Sequence, residues 1–261
     1  MESKKYIHQI WFQGKHEIPN KYLKNIEKTK NKLSNWEHII WDDMSIQALL
    51  KEKNIKYYNK YINYKFLHQK VDYARYIILY YYGGFYVDMD AYVTKDPSIL
   101  FDLYPDYEIY VSSLEVFYYE KIIYLQYSDI INNGVILALP KSQLMLDLIN
   151  HCPEDFIFKS KTININNTTG PAIFSKFVAR NNKIKILSRE YFEPCRFDIC
   201  DITDNTMVIH IHELSWMNNI VKYIFQSYIK YRNYVNFIIN IILIYILYIV
   251  SQKILAKILR R

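Results

Sequence analysis

The sequence predicts an α/β fold around one mostly parallel sheet, followed by a C-terminal helical tail associated with a membrane. Three observations predict it. Short β-branched and aromatic runs alternate with helical stretches between residues 5 and 211, the order expected of strand–helix–strand crossovers. The strongest helical stretch stops at paired glycines and is followed at once by a short apolar strand ending in acids. The last forty residues then change character, carrying seven bases, no acid and a long uncharged run.

The elements follow in order. Residues 5–12 read as a first strand, their apolar stretch being far too short for a secretory leader or a membrane span. Residues 20–33 are helical and polar. WEHIIWDD (36–43) reads as a second strand ending in acids, with Asp43 placed to cap a helix through SIQALLKE. Residues 67–82 form a helix with Leu67, Val71, Ala74, Ile78 and Tyr82 on one face, and Gly83 and Gly84 end it. FYVD is a buried strand. Further strands are expected at 107–112, 131–139, 184–187 and 206–211, with helices at 142–150 and 171–180.

A chain of 261 residues supports one sizeable core, and its 51% hydrophobic and 23% charged composition excludes a disordered chain. We divide it into a body, residues 1–220, and a tail, 221–261. The tail holds the whole net charge of +7, leaving 26 bases against 26 acids in the body. A nucleic-acid-binding body would carry its basic patch on folded surface, so the charge points to a membrane. VKYIFQSYIKYR is amphipathic, and residues 233–250 have no charge; at about 1.5 Å per residue they reach roughly 27 Å, barely a hydrocarbon core. Asn236 and Asn240 share one helix face. The tail either spans the membrane, lies in its interface, or packs as a buried core helix. Bases flank both sides of the run, so charge leaves its orientation open. Without a leader, the body is expected in the cytosol. Cys152, Cys195 and Cys200 form no CxxC pair and read as buried thiols in a reducing compartment, although Cys195 and Cys200 could bridge.

YYYGGFYVDMDAYV (80–93) carries the chemistry. A carboxylate is costly to bury unpaired, so Asp88 and Asp90 belong at a solvent-facing strand end or against a cation. In a mostly parallel sheet ligands collect at the carboxyl ends of strands. Two carboxylates two residues apart in extended chain point the same way and repel unless a cation compensates. Mg²⁺ or Mn²⁺ suits such hard oxygen ligands and bridges substrate phosphates; the alternative is an exposed acidic turn. The chain has only five glycines, Gly14, Gly83, Gly84, Gly134 and Gly170, all at apparent turns near strand ends.

IHQIWFQG with IP shortly after, WEHIIWDD, KVDYARYIILYYYGGFYVDMDAYV, INNGVILALP, TTGPAIF and VIHIHELSW occur in the order seen in the DXD-containing sugar-transferase family. Over residues 5–217 the chain resembles Golgi mannosyltransferases and capsule-type glycosyltransferases, and more distantly the glucosylating domain of large bacterial toxins. The resemblance implies a GT-A fold, a Rossmann-type single domain. It also implies metal-dependent retaining transfer of a hexose from a UDP- or GDP-sugar to a glycan or lipid-linked acceptor. It implies Asp90 as principal metal ligand and Asp88 on the ribose or sugar and a metal-bound water. Asp72 and Arg75 match the family's D-x-x-R that contacts the donor; an i,i+3 surface ion pair is the plainer reading. Trp11 matches an aromatic near the nucleobase, with a core tryptophan the close second reading. Asn133 matches an asparagine facing the acceptor side, and Ser215 and Trp216 match the SW near the diphosphate. His210 matches a late metal-binding histidine. Where the family reads HHW-x-x-SW this chain has HIHELSW, so His212 competes for that role; we favour His210. Two other classes stand beside this one: a haloacid-dehalogenase-like phosphohydrolase with a strand-end DxD, and a catalytically inactive membrane-docked sugar-binding protein. The first places its motif near the N-terminus before Thr-Leu or Thr-Val, whereas Ala-Tyr follows here.

Overall fold

The structure, a computed structural model, describes residues 4–114, 130–157, 160–196, 199–213 and 219–258. It divides into two units, Met1–Glu213 and Leu214–Arg261, where the sequence suggested 220/221.

Ten strands are described: β1 (Tyr6–Ile10), β2 (Glu37–Trp41), β3 (Gly84–Val87), β4 (Ala91–Val93), β5 (Ile109–Ser112), β6 (Val135–Ala138), β7 (Ile184–Leu187), β8 (Cys195–Arg196), β9 (Ile199–Cys200) and β10 (Val208–His210). Six of them form one sheet in the order β2-β1-β3-β6-β5-β7. Only β6 runs against the others, pairing antiparallel with β3 and β5, so the sheet is mostly parallel as expected. The central strands are buried on both faces, which is why their sequences run apolar without alternation. Helix Leu67–Tyr82 lies over one face with helix Gln143–His151 beside it, sharing a core with Tyr61, Tyr73, Tyr76, Ile136 and Phe174.

Several expectations need correction. The strand expected over 206–211 is β10, and it stays out of the main sheet. It pairs antiparallel with β4, a strand the sequence did not suggest, His210 standing opposite Ala91. Asp42, not Asp43, caps helix Asp43–Lys53: its extended backbone lets its carboxylate accept from Ser45 N at 2.8 Å while Ser45 Oγ accepts from Asp42 N. Asp43 instead accepts from the Tyr61 hydroxyl. Leu67 is exposed, whereas Tyr73 through Leu79 are buried on every side, because that helix is sandwiched and one periodic face understates its burial. Cys195 and Cys200 are not thiols but a disulfide between β8 and β9; Cys152 alone is a buried free cysteine. Cross-strand pairing puts the two sulfurs together, which residue spacing alone left open.

β1 fixes the turn before β3. The Trp41 indole can only donate, so His8 Nδ1 accepts from it at 3.2 Å and His8 Nε2 donates to the Gly83 carbonyl at 2.9 Å. Burial lowers the His8 pKa to about 4, which keeps the ring neutral for this pair of bonds. Gly83 closes the helix at φ +63, and Gly84 follows at φ +90, where an added Cβ would strike the Tyr6 carbonyl. Gly84→Ala is therefore expected to cost at least the ~1–3 kcal/mol of an unfavourable backbone conformation, read as a lower urea midpoint with an unchanged slope.

The second unit is described by itself. It contains helix Asn219–Ile258, along which Phe237, Ile238, Ile241, Ile242, Leu243 and Ile244 are exposed. Among the described residues, no helix is long and apolar enough to cross a membrane. The spanning version of the tail is thus not found. Asn233, Asn236 and Asn240 recur inside the uncharged run, and amide groups are costly in hydrocarbon.

Candidate active site

The site is built where β3 and β10 end and β6 begins. Asp88 follows β3 directly, its N–H donating to the Gly134 carbonyl at 2.8 Å and its carbonyl accepting from Gln9 Nε2 at 3.3 Å. The chain then turns, Ala91 N–H bonding to the Asp88 carbonyl, and enters β4. The two carboxylates converge because of this turn rather than by extended-chain alternation. β10, paired with β4, brings His210 in from the far end of the body. Asp88, Asp90 and His210 each offer a ligand atom, all within 4.8 Å of one another.

Each group is held. Asp88 accepts from the Tyr86 hydroxyl at 2.9 Å and lies 3.4 Å from Arg75 Nη2. Asp90 Oδ1 lies 3.2 Å from His210 Nε2, and Asp90 Oδ2 accepts from Glu213 N at 2.8 Å. Glu213 is anchored in turn by Lys21 and by the Tyr22 hydroxyl. His210 Nδ1 faces Glu193 at 3.2 Å, and His212 Nε2 lies 2.7 Å from the same carboxylate, with the two imidazoles stacked 3.9 Å apart.

Beneath this layer sits a buried scaffold. Arg75, 5% exposed, spans Asp72 at 3.0 Å, Asp88 and the Asn133 carbonyl, with its guanidinium 4.6 Å from the centre of the Tyr86 ring. Asp72 and Arg75 are therefore an i,i+3 ion pair, but a buried one extended to Asp88. Asn133, 3% exposed, donates to Asp72 at 3.1 Å and to the Tyr76 oxygen at 2.7 Å; its amide is turned into the protein. Trp11 packs on Tyr22 at 5.3 Å, beside Met89, and its Nε1 has no hydrogen-bond partner among the described residues. Ser215 and Trp216 lie outside the described residues. Sequence reasoning missed Tyr86, Asn132, Glu193 and Glu213. Tyr86, Asn132 and Glu213 lie inside motifs already quoted, but nothing in the motifs gave them a role; Glu193 carried no signal.

The electrostatics divide the carboxylates. Burial raises Asp88, with Arg75 opposing and Asp90 adding to the rise. Burial likewise pushes Asp72 up to about 6 against the pull of Arg75. Burial also opposes ionisation of Asp90, but His210 and the Glu213 N–H outweigh it and hold this carboxyl well below the usual range. Glu193 is held at about 2, burial being outweighed by His210 and His212. His210 is raised, its own burial outweighed by Glu193 and Asp90. Depressed carboxylates stabilise the fold above their unfolded values, and that contribution disappears as pH falls through their folded ones. The metal-free chain should therefore lose melting temperature as pH falls from about 4 to 2, because the unfolded chain binds protons at Asp90 and Glu193 that the folded chain still excludes. His210 works in the other direction, its contribution lost as pH rises through its raised value. A melting temperature flat from pH 4 to pH 2 would contradict the arrangement.

The donor set fits a divalent cation. Two carboxylates and one imidazole suit Mn²⁺ or Mg²⁺, the imidazole favouring the former. Gly134 keeps the cradle open: a Cβ there would come 2.5 Å from Asp88 Oδ2 and 2.8 Å from His210 Cε1. Since those are side-chain atoms that can swing away, Gly134→Ala should keep the fold yet displace two of the three candidate ligands. Mn²⁺ affinity of the folded variant, measured by calorimetry, is expected to fall at least tenfold.

Comparisons with known proteins bear on this geometry. Residues 19–110, which hold Asp72, Arg75, Asp88 and Asp90, match the family described as glycosyltransferase sugar-binding region containing DXD motif. The resemblance carried by the motifs is thereby shown over that stretch. An uncharacterised glycosyltransferase of Acanthamoeba polyphaga mimivirus is 29% identical over 227 residues, which is 80% of this chain and 82% of that one. Mannosyl phosphorylinositol ceramide synthase of Saccharomyces cerevisiae is 22% identical over 236 residues, 86% of this chain and 56% of its own length. Among solved structures, the PaToxG glycosyltransferase aligns with a TM-score of 0.46 at 17% identity, over 68% of this chain and 69% of that one.

Proposed function

We propose, for a chain whose residues 19–110 carry a DXD sugar-binding region, that the body is a GT-A-type glycosyltransferase. It moves a hexose from a UDP- or GDP-sugar to a glycan or lipid-linked acceptor, with retention, using Mn²⁺ or Mg²⁺. The convergence of Asp88, Asp90 and His210 within 4.8 Å carries this reading, since it supplies the oxygen and imidazole ligands that a cation bound to a diphosphate would take. When bound, the cation would offset charge growing on the leaving diphosphate. The chain's own residues do the rest. Arg75 fixes Asp88 from below, Tyr86 orients its carboxylate, and the Glu213 N–H orients that of Asp90. Among the described residues the acids nearest the pair are committed to partners, so the leaving phosphate is the proposed acceptor of the acceptor hydroxyl's proton.

The Saccharomyces cerevisiae relative supports a lipid acceptor, because its name states synthesis of a mannosylated phosphorylinositol ceramide. The exposed apolar stretch 237–244 and the acid-free tail support association of the tail with a membrane, near such an acceptor. A Cys195–Cys200 disulfide suits an oxidising compartment better than the reducing one that the cysteines suggested. Neither the phosphohydrolase nor the inactive reading is favoured by the sequence matches.

Free nucleotide release from a panel of UDP- and GDP-sugars with Mn²⁺ tests the reading. Slow donor hydrolysis is the expected result. No turnover of any donor, with or without acceptor, would sink it, and phosphate release from sugar phosphates would favour a phosphohydrolase. For the tail, removal of residues 222–261 should move the chain from the vesicle-bound to the soluble fraction.

A further inference from the structure

We infer that Glu193 is a positioning residue: its buried carboxylate grips His210 through Nδ1, leaving Nε2 to face the Asp88–Asp90 pair, and holds His212 away from that pair. The inference rests on the metal reading proposed above and adds to it a choice between two histidines.

Three observations carry it. Glu193 is 3% exposed, on a segment tied down by its own N–H to the Arg189 carbonyl at 2.7 Å and by the disulfide that begins two residues later. Its carboxylate also accepts from Asn132 Nδ2 at 3.0 Å, whose Oδ1 accepts from Gly134 N, so it is locked to the strand end that cradles the site. A carboxylate has no proton to give, so each imidazole nitrogen that faces one carries a proton, Nδ1 toward Glu193 and Nε2 toward Asp90, and a cation on the Asp88–Asp90 pair would displace only the Nε2 proton. With Nδ1 so committed at 3.2 Å, only Nε2 is left for the DXD pair, and it already stands 3.2 Å from Asp90. A ligand histidine whose other nitrogen donates to a carboxylate is a more basic and better-oriented ligand.

His212 is handled differently. Its backbone takes φ +57, in the left-handed region that a non-glycine residue enters only at a cost. That turn stacks the ring on His210 and brings its Nε2 within 2.7 Å of the Glu193 carboxylate, a close contact without hydrogen-bond alignment. One carboxylate thus presents one histidine and retains the other. An ion seated among Glu193, His210 and His212 instead would claim His210 Nδ1 and remove its proton, so the two arrangements differ at a single atom.

Histidine ¹⁵N spectra of the full chain read that atom, without metal and with Mg²⁺. Nδ1 of His210 is expected to show the shift of a protonated nitrogen in both conditions; a bare or metal-bound Nδ1 overturns the inference and needs no variant. Free-Mn²⁺ electron paramagnetic resonance then measures affinity apart from turnover. Glu193→Gln is expected to weaken Mn²⁺ by roughly 10–100-fold, Glu193→Asp to recover part of the loss, and His212→Asn to change it by less than about twofold. Wild-type affinity in Glu193→Gln, or a loss in His212→Asn equal to that in His210→Asn, overturns it. A wild-type chain that binds no Mn²⁺, yet whose His210 Nδ1 proton signal is lost in Glu193→Gln, would remove the metal reading and keep the Glu193 assignment.

Discussion

Asp90→Asn is expected to abolish measurable turnover while leaving the body folded. Asparagine keeps the volume and an oxygen that can accept from Glu213 N, so the chain path through the DXD turn has no reason to change. It loses the charge that a divalent cation needs and that His210 Nε2 faces at 3.2 Å. Metal-derived charge stabilisation supplies several kcal/mol, and at 1.36 kcal/mol per decade that is a loss of roughly 10³-fold in rate. Single-turnover donor hydrolysis at saturating Mn²⁺ checks the rate, and near-ultraviolet circular dichroism checks the fold. Residual activity within tenfold of wild type would mean that Asp90 is not a metal ligand. Because the metal must displace any proton on His210 Nε2, Mn²⁺ affinity should also rise with pH.

Arg75→Met is the complementary case, in which the larger loss is stability. Methionine fills much of the arginine volume but leaves Asp72 and Asp88 facing each other without a cation, in a site where Arg75 is 5% exposed. Breaking a buried pair by removing one partner costs about 3–5 kcal/mol. Part of that cost is recoverable at low pH, where Asp72, already pushed up to about 6 by burial, takes up a proton. Urea unfolding of Arg75→Met at pH 5 and at pH 8 is expected to show the smaller deficit at pH 5. Equal deficits at both pH values would show that Arg75 acts by packing rather than by charge. Arg75→Lys should not rescue, because a single ammonium cannot reach Asp72, Asp88 and the Asn133 carbonyl together.

These two variants separate residues that the sequence treated alike. Asp72 and Arg75 read as donor contacts by resemblance, and as a surface ion pair by spacing. The structure makes them a buried support under Asp88, so their removal is expected to register in stability before it registers in binding. Asn133 changes in the same way, from an acceptor-side group to an amide buried between Asp72 and Tyr76.

Local chemistry was legible in the sequence wherever neighbours along the chain decide the outcome. Gly83 and Gly84 end a helix because only glycine takes those positive φ angles cheaply. The uninterrupted apolar character of FYV announced a strand buried on both faces, and the DXD that follows had to meet a compensating charge. Alternating strands and helices were enough for a mostly parallel sheet. The tertiary structure alone decided which residues compensate which. That β10 pairs with β4 rather than joining the sheet, and so sets His210 opposite Ala91, follows from a register between strands more than a hundred residues apart. Glu193 lies in a loop with no periodicity and no motif, and only that pairing brings both histidines to it. A backbone conformation is settled by a residue and its neighbours, whereas the partner of a buried charge is settled by whichever distant element folds over it. This chain therefore displays its ligands in the sequence and reveals what holds them only when folded.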